Sequence, residues 1–343
     1  MTEESSTTAH LSVAMTMKED DETPTVGGNS LASVIFYFQC AVVVIGVVGT
    51  AANALIIYAL VASKQHAKHI LIVNQNALDL FSSVSLVVTY AARLCNIQLS
   101  GASGYWVCIT LLSGIFVWWG LVGSVVNLAM ITIDRYLKIV HHAWSQNHLR
   151  PWKLKFAIGF AWFAGIVSNT PYMLETTGVI NGVCYRFALF KSHAALVFAM
   201  VWYIVAYYVA MLIIFIYCYG CILATIRRQA RVMASHGTAP SSASQTQSHK
   251  IQTNVIKTMI LVSVFYAIAW MPVYCCYVYV IAESISVPAG FWYASVFVSF
   301  LYTSANPFIY ATKFDPVRRV LRRMIPFKKT PLQASVYPLS YMG

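Results

Sequence analysis

Long apolar runs dominate the chain, and short polar stretches separate them. Seven runs cover about 33–61, 70–95, 107–139, 155–174, 194–225, 254–282 and 290–312. Each is long enough to cross the roughly 30 Å hydrocarbon core of a bilayer as a helix. The pattern predicts an all-α membrane protein, a seven-helix bundle over 33–313. Residues 1–32 are rich in Ser, Thr and acid and read as a disordered tail. They contain no apolar core for a cleavable signal peptide, so the first run would itself direct insertion. Between the fifth and sixth runs, Ala234 to His249 is built of small and polar residues and reads as a flexible loop. After the seventh run, 314–325 set Arg318, Arg319, Arg322 and Arg323 beside Val317, Val320 and Leu321. That spacing makes a short amphipathic helix lying on an anionic membrane surface, followed by a tail over 326–343.

Composition strengthens the membrane reading. Of 343 residues 59% are hydrophobic and 10% charged, and the mean hydropathy is +0.65. A soluble domain keeps about a quarter of its residues charged. The net charge of +12 would suit nucleic acid if it formed one face, but its placement follows a membrane rule instead. With residue 1 outside, all of the 23 bases except Lys18, Arg93, Arg186 and Lys191 fall in inner segments. Such a bias puts the N-terminus outside the plasma membrane. Six acids (Glu3, Glu4, Glu19, Asp20, Asp21, Glu22) sit in the outer tail. Cys40, Cys218, Cys221, Cys275 and Cys276 lie within apolar runs as ordinary buried thiols, and Cys218 and Cys221 have no second pair with which to hold a metal. Cys108 and Cys184 fall where oxidation is allowed, with Cys95 a competitor for the same bond.

Polar groups inside the runs need a reason, since a charge at the bilayer centre costs about 2.5–3.5 kcal/mol even on insertion scales. Asp79 lies mid-span in the second run, within Asn74-Gln75-Asn76-Ala77-Leu78-Asp79. Asn53, Ser124 and Asn306 fall at similar depth. Together they make either a hydrated pocket for a small cation or proton, or a hydrogen-bonded glue between helices. Asp134-Arg135-Tyr136 closes the third run at its inner end, as a headgroup anchor or as a switch that holds Arg135 until it is released. Pro272 and Pro307 interrupt the sixth and seventh runs, and each removes a backbone hydrogen bond and allows a pivot.

In order along the chain, these residues resemble the rhodopsin-like (class A) G-protein-coupled receptors, over about 33–325. Asn53 and Asp79 match the first- and second-helix residues, and Asp134-Arg135-Tyr136 the end of the third. Trp162 matches the fourth helix, Tyr219 the fifth, Trp270-x-Pro272 the sixth and Asn306-Pro307-x-x-Tyr310 the seventh. The resemblance implies a disulfide between Cys108 and Cys184 and a sodium pocket of Asp79, Ser124 and Asn306. It also implies a switch in which motion at Trp270 frees Arg135, while Tyr219 and Tyr310 rearrange around it. Its partners would be a heterotrimeric G protein, arrestin and receptor kinases. Ser and Thr between 238 and 248, with Thr330 and Ser335, are candidate phosphorylation sites.

The chain also departs from the family pattern. Met211 stands near the usual fifth-helix proline, and Tyr266 where a phenylalanine precedes Trp270. Tyr302 replaces a smaller polar residue near the ion pocket. Cys108 lies about two residues further from Arg135 than usual, which predicts a local irregularity or a longer helix. No acid stands at Gln252 or Thr253 to pair with Arg135, so basal activity is expected.

Two ligand classes lose their anchors. The place of the retinal lysine is Phe300, and that of the amine-pairing aspartate is Val117. The remaining outer-half set is Arg93, Val117, Trp118, Leu121, Tyr207, Trp270, Tyr274, Tyr277 and Phe300, which suits a peptide or a lipophilic ligand. Arg93, close to four turns beyond Asp79, either binds a ligand carboxylate or snorkels to the interface. Arg186, Lys191, Glu175 and Glu283 are expected as solvated loop charges. A small ion-coupled transporter would also use a buried acid and kinked helices, but it would carry an internal repeat that is not found here. No nucleophile–base or metal constellation suggests an enzyme.

Overall fold

The computed structural model describes residues 27–186, 190–235, 243–283, 287–313 and 315–324. The expected acidic tail before 27 and the tail from 325 lie outside these residues. Helix α1 (Gly27–Ala62) begins ahead of the expected boundary at 33. It is followed by α2 (Ile70–Leu94) and by a third span built of α3 (Gly101–Val107), a wide π turn (Cys108–Leu112) and α4 (Ile115–Val140). A short α5 (His142–His148) leads into α6 (Pro151–Thr176), with proline at the helix start, where its missing N–H costs nothing. The fifth span is α7 (His193–Ile204), a second π turn (Val205–Val209) and α8 (Ala210–Ser235). Helices α9 (Ala243–Glu283) and α10 (Ala289–Lys313) contain Pro272 and Pro307, and α11 (Asp315–Met324) is the expected short helix after the seventh span.

One loop boundary needs correction. Residues 243–249 are helical and extend the sixth span, because Ala, Gln and Ser are tolerated in a helix once it is nucleated by the apolar turns after it. Of the expected loop, Ala234 and Ser235 end α8, and 236–242 lie outside the described residues.

Burial runs opposite to that of a water-soluble domain. Asn53, Gln75, Asn76, Asp79, Ser124, Asn127 and Asn306 are fully buried, whereas Phe198, Ile216, Phe156 and Phe163 are exposed by 60–72% of their surface. Apolar outside and polar inside is the signature of a bundle solvated by lipid. Among the described residues, five helices are long and apolar enough to cross a membrane on length and composition alone. Helices α6 and α10 match them in length but are more polar: α6 carries Lys153 and Lys155 near its start, and both helices bury polar side chains, Asn169 in α6 and Ser299, Thr303 and Asn306 in α10. Small residues let the helices approach closely. A Cβ on Gly165 would lie 2.2 Å from the carbonyl of Trp119, so the fourth span meets the third backbone to backbone.

Between α6 and α7 a hairpin crosses the bundle end, β1 (Gly178–Ile180) pairing antiparallel with β2 (Val183–Tyr185). Its two-residue turn is Asn181-Gly182, both at positive φ (53° and 78°), the conformation that Asn-Gly turns favour. A disulfide joins Cys108 in the π turn to Cys184 in β2.

Candidate functional site

Three polar groupings line the interior, from the disulfide end to the Arg135 end. At the disulfide end the third span breaks at Ser113-Gly114, where Gly114 takes φ 80°. The wide turn and this break absorb the extra spacing between Cys108 and Arg135. They also free carbonyls, which Arg93 takes up: its Nε and Nη2 donate to the Leu112 carbonyl at 3.0 and 2.7 Å, and Nη2 to that of Ser113 at 3.4 Å. Its guanidinium carbon stands 4.2 Å from the Tyr90 ring. Arg93 is therefore committed to a helix break, a role neither sequence expectation contained. Tyr90 meets Phe300 edge-on at 6.0 Å and Phe38 at 5.7 Å, and Phe38 meets Tyr293 at 4.7 Å.

Deeper, Trp118 and Trp270 stand 6.2 Å apart, and Tyr274, Tyr277 and Trp292 continue the column at about 6 Å intervals. Val117 and Leu121 are buried in the same core. Tyr207 does not join the column: its hydroxyl donates to Ser168 on α6, and its ring packs with Leu78, Val122 and Ala161. Tyr208 takes the place expected for it, 4.7 Å from Tyr274. The reason is the π turn, which shifts the register of the fifth span by one residue.

The second grouping surrounds Asp79. Ser124 donates to its Oδ1 at 2.6 Å, and Asn306 and Gln75 to its Oδ2 at 2.9 and 3.5 Å. Gln75 also donates to Ser124 and, at 3.4 Å, to Tyr302. Its carbonyl accepts from Asn127 at 2.8 Å; Asn127 accepts from Asn74 at 2.9 Å, and Asn74 from the Trp162 indole at 3.0 Å. The network thus joins the second, third, fourth and seventh spans. Asn53 adds the first, donating to the Thr303 carbonyl at 2.9 Å. Gln75 was missed in the sequence as a separate actor, although it precedes Asp79 by one helical turn, the spacing at which side chains meet.

At the third grouping, Asp134 has two cations. Lys138 Nζ lies 2.7 Å from it and Arg135 Nε 3.7 Å. Arg135 Nε is buried with no hydrogen-bond acceptor. Several cations gather there: burial first, and then the charges of Arg135, Lys68 and Lys138, hold the His69 imidazole down at about 4. Tyr136 contacts His141 at 3.0 Å. Tyr219 meets Thr132 at 3.0 Å and accepts from Ser263 at 3.4 Å, so it bridges the third, fifth and sixth spans. Tyr310 is fully buried, and its hydroxyl makes no hydrogen bond among the described residues. Arg135, Tyr219 and Tyr310 are thus brought to one end of the bundle, but no hydrogen bond among the described residues joins them.

The pattern description of the seven-transmembrane receptors of the rhodopsin family matches residues 52–310. The chain belongs to that family. This receptor is 22% identical over 331 residues to somatostatin receptor type 4 of Rattus norvegicus, an alignment covering 94% of its own chain and 81% of that one. Against 5-hydroxytryptamine receptor 4 of Homo sapiens it is 23% identical over 218 residues, 57% of its own chain and 55% of that one. The crystal structure of squid rhodopsin superposes with a TM-score of 0.70 over 89% of this chain and 87% of that one, at 16% identity, a likeness of fold. The relatives are receptors rather than enzymes, and the receptor is a multi-pass membrane protein.

Proposed function

We propose that this receptor stands in the plasma membrane with its N-terminus outside, binds an extracellular peptide at the disulfide end and activates a heterotrimeric G protein at the Arg135 end. The observation that carries this is the gathering of Arg135, Tyr219 and Tyr310 in a positive field at one end, joined to an aromatic column by two proline-bearing helices. An acidic surface of the partner suits that field. A peptide pressing on Trp270 shifts the population between two packings of α9 through its differential affinity for them. With α9 displaced, Tyr219 loses Ser263, and Arg135 is free to meet the G protein. Arrestin and receptor kinases would use the same open end.

The absence of an acid at Val117 argues against an amine, and the broad match to a peptide receptor, against a partial one to a serotonin receptor, favours a peptide. A panel of secreted neuropeptides applied to cells expressing the receptor tests this through G-protein nucleotide exchange. A peptide that acts only on expressing cells is expected; response to a lipid extract and to no peptide would contradict the peptide part. Basal signalling is a second reading, favoured by the hold of Lys138 on Asp134, which leaves Arg135 lightly restrained.

Asp79, the Ser124 hydroxyl and the buried Asn306 Oδ1, which accepts no hydrogen bond, form the oxygen set that a hard cation takes. Sodium would sit among them. The amide nitrogen of Gln75 competes for the same carboxylate, so sodium binding is weak.

A further inference from the structure

The fifth and sixth spans hold each other through a reciprocal pair of tyrosines. The Tyr208 hydroxyl, in the π turn of the fifth span, donates to the Ala267 carbonyl on α9 at 3.0 Å. The Tyr266 hydroxyl, from the residue beside Ala267, donates back to the carbonyl of Tyr207, the residue beside Tyr208. Two adjacent residues on each helix thus close one ring of hydrogen bonds.

Each bond lands where its acceptor helix is irregular. A π turn departs from the regular backbone ladder and is common at functional sites. In the sixth span Pro272 has no N–H for the carbonyl four residues before it, that of Ile268, next to Ala267. Within a membrane, neighbouring helices make good the backbone bonds that such irregularities lose. Here each of the two spans serves the other.

The pair also lies between the aromatic column and the pivot. Tyr208 is half-buried, and its ring stands 4.7 Å from Tyr274 in the column. Tyr266 is fully buried, with Tyr302 at 5.6 Å, Phe215 at 5.9 Å and Trp270 at 6.3 Å. An outward swing of α9 separates 207 and 208 from 266 and 267 together. It therefore breaks both bonds at once and strips their buried polar groups of partners, which disfavours the movement.

We propose that Tyr208 and Tyr266 are positioning residues that keep α9 in its resting packing, and that α9 moves outward only when their reciprocal bonds open together. This rests on the receptor reading and gives its restraint a place in the middle of the bundle. A ligand in the aromatic column reaches this latch through one ring contact, that of Tyr274 with Tyr208.

The test uses the full-length receptor in nanodiscs without ligand, its free cysteines replaced by Ser. Spin labels at Lys155→Cys and Lys257→Cys report the separation of α6 and α9. The label distance, a readout independent of any G protein, is compared in the parent, Tyr208→Phe, Tyr266→Phe and the double variant. Each single variant is expected to raise the share of longer distances several-fold, as the loss of one buried hydrogen bond allows. The double variant should add little to the larger single effect, because either loss opens the ring. Tyr208→Phe leaves the support of the π turn in place and carries the test if Tyr266→Phe fails to fold.

An unchanged distance in Tyr208→Phe would overturn the proposal. So would a double variant whose effect is the product of the two single ones, or a lower thermal midpoint with the distances unchanged, which marks a merely structural role. Basal nucleotide exchange on the same variants separates the latch from the receptor reading. Longer distances with exchange no higher than that of empty membranes would uphold the first and count against the second.

Discussion

Asp134 sits between two cations, and the nearer one is Lys138, one turn further along the same helix. An i,i+4 ion pair on a helix is worth about 0.3–0.5 kcal/mol, enough to draw the carboxylate from Arg135 by a factor of about two. Lys138→Ala should therefore tighten the Asp134–Arg135 contact and lower basal nucleotide exchange about twofold; unchanged or higher exchange would contradict the idea. Gln75 plays a comparable part at Asp79. Replacing it with Leu removes a competing amide, so sodium against potassium should stabilise Gln75→Leu more than the parent, and Asp79→Asn not at all. Equal sodium responses in all three proteins would rule this out. Asp79, Ser124 and Asn306 were legible in the sequence because polar groups are costly in lipid. Arg186, expected there as a solvated loop charge, is half-buried at the edge of the hairpin. Its depth depends on a hairpin and a disulfide that fold the loop back over the bundle, and only the Asn181-Gly182 turn hinted at the hairpin.

Two irregular spans show how local departures compensate one another. The fifth span keeps a wide π turn although Met211 replaces the usual proline. Such a turn leaves backbone groups poorly paired, and here the hydroxyl of Tyr266 donates to the carbonyl of Tyr207 within it. The tyrosine that departs from the family's phenylalanine thus supports the turn that departs from the family's proline. Tyr266→Phe should cost about 1–3 kcal/mol, the penalty of leaving a buried carbonyl unpaired, read as a lower thermal midpoint. A variant as stable as the parent would show that the contact does not hold the turn. The third span's irregularity was legible as surplus spacing between Cys108 and Arg135. Its form was not, because whether a helix absorbs two residues by a π turn or by a left-handed glycine depends on what takes up the freed carbonyls. Arg93 does so from a neighbouring helix.

Across the whole molecule, five of the spans among the described residues follow from length and apolarity alone, the other two from apolar runs that also carry polar side chains, and the order of motifs pointed to the family. The ends of the spans were less legible, because α1 and α9 continue beyond their apolar turns, where hydrogen bonding rather than hydropathy sets the limit. The two helices that are too polar to qualify as spans by composition, α6 and α10, are those that reach into the buried network through Trp162 and Asn306. Polarity inside and apolarity outside are thus one design: lipid demands the second, and a switching network needs the first. The account rests on Arg135 as the point where this network acts on a G protein. The direct measurement is nucleotide exchange by purified heterotrimeric G protein in membranes carrying the receptor or its Arg135→Ala variant at equal surface expression. Exchange above that of empty membranes, lost in Arg135→Ala, is the predicted result. Equal exchange from the two proteins would contradict it.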